Sequence, residues 1–153
     1  MIEGGWLLKI NMNIDNRFIE TEITINCGQM SEELEKVIAT LRILDLKITG
    51  MKNNQTYILE ASKIMYIDTV DKKTFLYTKE DIYETNLKLY KFEELLSPSD
   101  FFRASKSCII NFNCIKSLRS DIAGRVIVTM ENDEKLVVSR QYSSFIKKKL
   151  EVL

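Results

Sequence analysis

No histidine occurs anywhere in the 153 residues. That removes the side chain most often used as a general base near neutral pH, and the commonest metal ligand with it. Glycine is scarce: Gly4, Gly5, Gly28, Gly50 and Gly124 are the whole set, and they form no GxGxxG or GxxxxGK loop of the kind that cradles nucleotide phosphates. Proline is used once, at Pro98, and no apolar run is long enough to suggest a membrane span or a signal peptide, so a soluble, cytoplasmic protein is expected. Cysteine is also rare. Cys27, Cys108 and Cys114 contain no CxxC pair and are odd in number, which favours buried thiols over a disulfide framework. Carboxylate neighbours such as Asp68 with Asp71, or Glu93 with Glu94, are explained equally well by strand alternation or by an exposed helix face. No nucleophile can be matched to a base by spacing. An enzyme is therefore not expected, nor a cofactor, a metal or a small-molecule substrate.

What is present is a globular balance, 45% hydrophobic and 29% charged, sized for one core domain with an N-terminal extension. The extension is placed at residues 1–50 and the domain at 51–153. Residues 1–11, with the Gly4-Gly5 pair and Trp6, precede any periodic pattern. Glu-Gly-Gly can be encoded by a purine-rich stretch like a ribosome-binding site, so one expectation is a mis-assigned start, with translation beginning at Leu8 or Met12; the other is a short ordered arm. Residues 19–27 alternate strictly, Ile19, Thr21, Ile23, Ile25 and Cys27 against Glu20, Glu22, Thr24 and Asn26, which predicts a half-buried strand. After Gly28, Ser31 can cap a helix whose first turn carries Glu32, Glu33 and Glu35. Leu34, Val37, Ile38 and Leu41 then fall at helical spacing, so residues 32–44 are expected to form an amphipathic helix that packs on a following sheet or pairs with a second chain.

Beyond residue 45 short β-rich runs alternate with polar turns. Strands are predicted over 46–49, 55–59, 64–68, 74–78 and 81–86, a short helix over 87–96 with Leu89, Phe92, Leu95 and Leu96 inward, Glu93 and Glu94 outward and Pro98 as its stop, a hairpin over 126–139, and a closing helix over 142–150. Formal charge is zero, but its distribution is uneven: residues 1–50 carry 5 basic and 8 acidic groups, 51–98 carry 7 and 8, and 99–153 carry 10 and 6. The last third is a modest basic footprint. Within it Arg103, Ser105, Lys106 and Ser107 form a hydroxyl and basic cluster suited to phosphate, although on composition alone a solvated strand edge is the better explanation. Arg140 stands where a strand runs out before the closing helix, a placement that lets a guanidinium reach guanine. Lys72 and Lys73 lie at a predicted hairpin tip. Lys147, Lys148 and Lys149 are read either as a solvated helix face or as backbone clamps.

From about residue 53 to 150 the chain resembles the LytTR-type DNA-binding domain of bacterial transcription regulators. The resemblance is carried by Ile64-Met65-Tyr66-Ile67, the helix over 87–96, Phe101-Phe102-Arg103, Ser107-Cys108-Ile109-Ile110-Asn111, Ile115-Lys116-Ser117-Leu118 and Val138-Ser139-Arg140-Gln141-Tyr142. It implies a mainly β fold, an elongated arrangement of small antiparallel sheets with short helices, that reads successive major grooves with loops and strand ends. By the same resemblance Lys73, Lys106 and Arg140 fall on the base-reading positions. Arg103, Ser107 and Ser139 fall on positions that contact phosphate or hold the reading loops, and Asn111 fixes the turn after Ile110. Two positions depart from the pattern: Ser105 stands where many relatives carry histidine, and Cys108 where an aromatic or branched residue is usual. Many relatives carry a phosphoacceptor receiver domain for which residues 12–45 offer neither the length nor the acidic cluster. The whole resembles a compact subgroup often encoded beside a small membrane protein.

The resemblance implies a sequence-specific transcriptional regulator of double-stranded DNA, with Lys147 and Lys148 adding backbone affinity and the helix over 32–44 serving as a homodimer contact or as the dock for a membrane-protein regulator encoded nearby. The alternative is a non-catalytic protein-interaction module of the same fold, which zero net charge and the acidic N-terminal third keep open.

Overall fold

A computed structural model describes residues 8–96 and 99–152, so the Gly4-Gly5-Trp6 stretch and Pro98 lie outside the described residues. The chain divides into two compact units, residues 1–30 and 31–153. In the first, the strand expected over 19–27 does not form: among the described residues no ladder pairs with it, and Ile19 is 98% exposed. Alternation specifies which face a strand buries, but a strand exists only where a neighbour accepts its backbone bonds. A local turn is present, in which Phe18 N–H donates to Asp15 O at 3.1 Å and Arg17 pairs with the Asp15 carboxylate at 2.7 Å.

The second unit opens with α1 (Glu32–Asp45), capped as its sequence predicts: Ser31 Oγ accepts from Leu34 N–H at 3.1 Å, with Glu32, Glu33 and Glu35 at the positive end of the helix dipole. Ala39 is buried, while Leu34, Val37, Ile38 and Leu41 are only half-buried. Then come β1 (Lys47–Lys52), β2 (Gln55–Glu60), β3 (Tyr66–Val70), β4 (Lys73–Tyr77), β5 (Ile82–Thr85), α2 (Leu89–Leu96), β6 (Phe101–Ser105) and β7 (Cys108–Asn111). Seven of these strands make one antiparallel sheet in the order β2-β1-β5-β4-β3-β7-β6. The chain continues with β8 (Ile115–Ser120), β9 (Val126–Met130), β10 (Lys135–Val138) and α3 (Ser144–Val152), the three strands forming a second antiparallel sheet in the order β10-β9-β8.

Strand parity sorts the core. Tyr66, Phe102, Ala104, Cys108 and Ile110 project from one face of the large sheet onto Val126, Val128, Met130 and Val138 of the small sheet and Ile146 of α3. Ile67, Leu76 and Ile109 project from the other face onto Leu89, Phe92 and Leu96 of α2. Both faces of the large sheet are covered here, and this is why β7 is buried at every position instead of alternating. Leu95, expected inside, is 46% exposed: the helix buries positions i, i+3 and i+7. The turn after Ile110 is fixed from within. Asn111 Oδ1 accepts from Asn113 N–H at 3.1 Å, and Asn111 Nδ2 donates to Ile64 O at 3.1 Å.

Candidate nucleic-acid interface

The hairpin tips converge through register. In β3 and β4, Val70 faces Lys73, and the two turn residues Asp71 and Lys72 both have positive φ, 50° and 67°. This is the left-handed geometry that lets a two-residue hairpin follow the twist of its strands. Beside β3 runs β7 in the opposite direction, with Asp68 opposite Cys108, and Thr69 N–H donates to Ser107 O at 2.8 Å. The end of β3 that carries Lys72 and Lys73 is therefore the end at which the β6–β7 turn carries Lys106. One more bond recruits the third tip. β6 has a bulge between Arg103 and Ser105, and the carbonyl of the extra residue, Ala104, accepts Ser139 N–H at 2.8 Å. That bond moors the end of β10 to the edge of the large sheet, so Arg140 emerges at the same end.

Lys73, Lys106 and Arg140 are all exposed. Lys73 Nζ sits 3.8 Å from Glu84 Oε1, a loose pair that leaves its charge available; among the described residues Lys106 and Arg140 have no carboxylate partner. The Arg140 stem lies over Gly124, where a Cβ would come within 3.3 Å of Arg140 Cγ and Cδ, and Gly124 has φ +80°. Glycine in the β8–β9 turn thus gives the arginine its seat.

Arg103 is placed differently. Its Nε donates to Ser105 O at 2.7 Å, and its Nη2 donates to Lys106 O. Nη1 donates to Glu93 of α2. Strand parity turns Arg103 to the α2 face, and there its guanidinium closes the Lys106 turn like a staple. Only 21% of its side chain is exposed. Ser105 and Ser107 brace the same turn, Ser105 Oγ accepting from Ser107 N–H at 3.2 Å. Burial pushes the Asp68 carboxyl above its ordinary value, while the Thr69 N–H and the Ser107 hydroxyl bonding to it pull the other way. Ser139 N–H holds the β10 mooring, and its carbonyl accepts from Tyr142 N–H at 3.0 Å. Lys147 and Lys148 are exposed on α3, which leads away from this end, since Lys149 pairs with Asp100 at the far end of β6. Those two lysines flank the tips and do not join them.

Two residues of this site are not legible in the sequence. Glu93 faces outward as expected, but its ion pair with Arg103, ten positions along the chain, had no local signal. Gly124 had no motif to mark it beyond being the last of the five glycines.

The family model described as the LytTr DNA-binding domain matches residues 54–151. This chain belongs to that family. A solved LytTr DNA-binding domain from Bacillus cereus is 32% identical and superposes with a TM-score of 0.64, covering 68% of this chain and 95% of that one. Among curated relatives, an uncharacterized HTH-type transcriptional regulator of Staphylococcus aureus strain bovine RF122 / ET3-1 is 26% identical over 95% of this chain and 100% of its own length. Its counterpart in strain MRSA252 is 25% identical over the same shares. Helix-turn-helix is the name those relatives carry. In this LytTr chain strands separate α1, α2 and α3, so the described residues contain no pair of helices joined by a short turn that could place a recognition helix. The mainly β architecture expected of the family is the one observed.

Proposed function

We propose that this LytTr chain is a DNA-binding transcriptional regulator that reads double-stranded DNA with one end of its large sheet. The observation that carries the reading is the convergence of Lys73, Lys106 and Arg140, from three separate turns, at a single sheet end through the Thr69–Ser107 and Ser139–Ala104 backbone bonds. The turns stand two to three strands apart, roughly 10–15 Å, and a major groove is about 12 Å wide. Lys73, Lys106 and Arg140 read base edges, Arg140 being the one able to make a bidentate contact to guanine. Ser105, Ser107, Ser139 and Arg103 hold the loops, and Lys147 and Lys148 add backbone attraction from α3. No step of this function needs a cofactor or catalysis.

Residues 51–153 are assigned as the reading domain and residues 1–50 as the regulatory extension, with β1 (Lys47–Lys52) spanning the boundary and joining the large sheet. Within that extension the α1 stripe of Leu34, Val37, Ile38 and Leu41 is half covered and Leu44 is 56% exposed, apolar surface for a second copy or for a membrane-protein regulator encoded nearby. The test is a gel shift against the protein's own promoter at graded salt. Binding with promoter preference and a steep loss of affinity with salt supports the reading. Absence of binding at low salt would leave the protein-interaction alternative in its place.

A further inference from the structure

Residues 19–27 have the sequence of a strand and no strand to pair with among the described residues. Their apolar side is open to solvent, Ile19 at 98% and Ile23 at 63%. Residues 8–14 repeat the pattern: Leu8, Ile10, Met12 and Ile14 alternate with polar residues and are all exposed. An alternating run with an open ladder and an open apolar side is an edge that pairs with another chain unless something covers it.

We propose that residues 19–27 pair antiparallel with the same residues of a second copy, centred on Ile23, and that this strand pair forms a two-fold dimer. The inference goes beyond DNA reading and does not depend on it. Two observations select a second copy as the occupant. The first is self-complementarity, which an isologous contact requires. The midpoint of the run is Ile23, and pairing about it lays the whole run against itself: Ile23 meets Ile23, Thr21 meets Ile25, and Ile19 meets Cys27. On the polar side Glu22 meets Thr24 and Glu20 meets Asn26, so no two carboxylates are directly opposed; the nearest like pair, Glu22 with Glu22, is diagonal at about 7–8 Å and solvated. Centring one residue earlier would oppose Glu22 to itself. Gly28 ends the run where the pairing ends.

The second observation is area. Nine large apolar side chains are exposed between residues 8 and 30. Ile19, Ile23 and Ile25 lie in the paired run, and the other six flank it; at roughly 100 Å² each, the nine offer about 900 Å² per copy when the flanking residues join the contact. A stable interface buries about 800 Å² per partner.

Cross-linking the full chain tests the register. In Ile19→Cys the new thiol faces the partner's native Cys27, at a Cα separation suited to a disulfide, and mild oxidation should yield a dimer on a non-reducing gel. In Glu20→Cys the new thiol lies on the opposite side of the strand from Cys27 and should not. Equal cross-linking of the two variants overturns the register. Ile23→Lys, which opposes two charges at the two-fold, should weaken self-association by roughly a hundredfold in sedimentation equilibrium. The thermal transition of the reading domain should stay unchanged, because no ladder among the described residues involves these positions. Wild-type protein that sediments as a monomer at tens of micromolar, or an Ile23→Lys dimer as tight as wild type, overturns the proposal; a dimer lost instead on substituting Val37 and Leu41 of α1 places the contact on the helix.

Discussion

Replacing Arg103 by Met removes a staple from the Lys106 turn without altering the side chains of the proposed reading tips, and the structure allows the effect to be sized. The guanidinium holds the Ser105 and Lys106 carbonyls and the Glu93 carboxylate. Charge-assisted bonds contribute about 1.5–3 kcal/mol each when well shielded. Glu93 is half in solvent at 47%, so its share is discounted towards the value of a surface pair. A total of about 2–3 kcal/mol of local turn stability is then at stake. If DNA binds only the closed Lys106 turn, the apparent Kd rises as the closed fraction falls, by at most about 30–150-fold, the ratio to which that loss corresponds. Fluorescence anisotropy with a duplex operator at several salt concentrations is the assay. An arginine that touches phosphate would, on removal, make the salt slope shallower by about 0.9 per contact; an internal staple leaves it unchanged. Glu93→Gln sharpens the distinction. Plain electrostatics says that deleting a carboxylate strengthens DNA binding, whereas the staple account says it weakens binding modestly. Tighter binding by Glu93→Gln together with a shallower slope for Arg103→Met would refute the reasoning.

Further expectations follow from single residues. Lys72 occupies the left-handed region at φ 67°, so Lys72→Gly should stabilise the fold by about 1 kcal/mol and raise Tm by about 2–4 °C in calorimetry, while DNA affinity falls with the lost charge. Gly124→Ala combines a positive φ with contact against the Arg140 stem; a stability loss of about 1–2 kcal/mol in urea titration should come with weaker preference at the base that Arg140 is proposed to read. Burial raises the Asp68 carboxyl in the folded state. The folded protein therefore takes up that proton before the unfolded chain does, and the stability tied to this group is present below the unfolded value and lost as pH rises through the folded one. Asp68→Asn should accordingly stabilise the protein at neutral pH and flatten the acidic limb of its stability profile, as read by urea titrations across that range. Burial pushes the Cys108 thiol up to about 12 and the Cys114 thiol up to about 11. Both should resist iodoacetamide at mildly alkaline pH until denaturant is added, which intact mass before and after unfolding will show.

Much of the fold was legible because it is written in local periodicity. The strands before α2 were predicted close to their observed bounds, and so were α1, α2, the hairpin of β9 and β10 and the closing helix. Each declares itself through alternation, capping or a turn residue within a few positions. What stayed hidden depends on partners distant in the chain. The run over 19–27 alternates as cleanly as any strand here, yet alternation cannot supply a neighbour. Leu95 sits on a helix whose phase is set by which sheet face it covers, and spacing alone placed it inside; Glu93 was rightly placed outside, but its pairing with Arg103 was not visible. The tips themselves were visible as basic residues at turns. That they share one end of a sheet follows from the β3–β7 pairing and from a single bond between Ser139 and Ala104, and no local pattern announces either. Arg103 shows the same limit: its type and position suited phosphate as well as loop support, and the carbonyls it bonds, on which the loop-support proposal rests, were not visible in the sequence.

The central claim is that sequence is read by the three tips, and selection of bound duplexes from a random DNA pool, run side by side for wild type and Arg140→Ala, tests it most directly. The account predicts a defined wild-type motif and, for the variant, the same motif with preference relaxed at one position and affinity there reduced by about 1–3 kcal/mol. An unchanged motif recovered with unchanged affinity would contradict it.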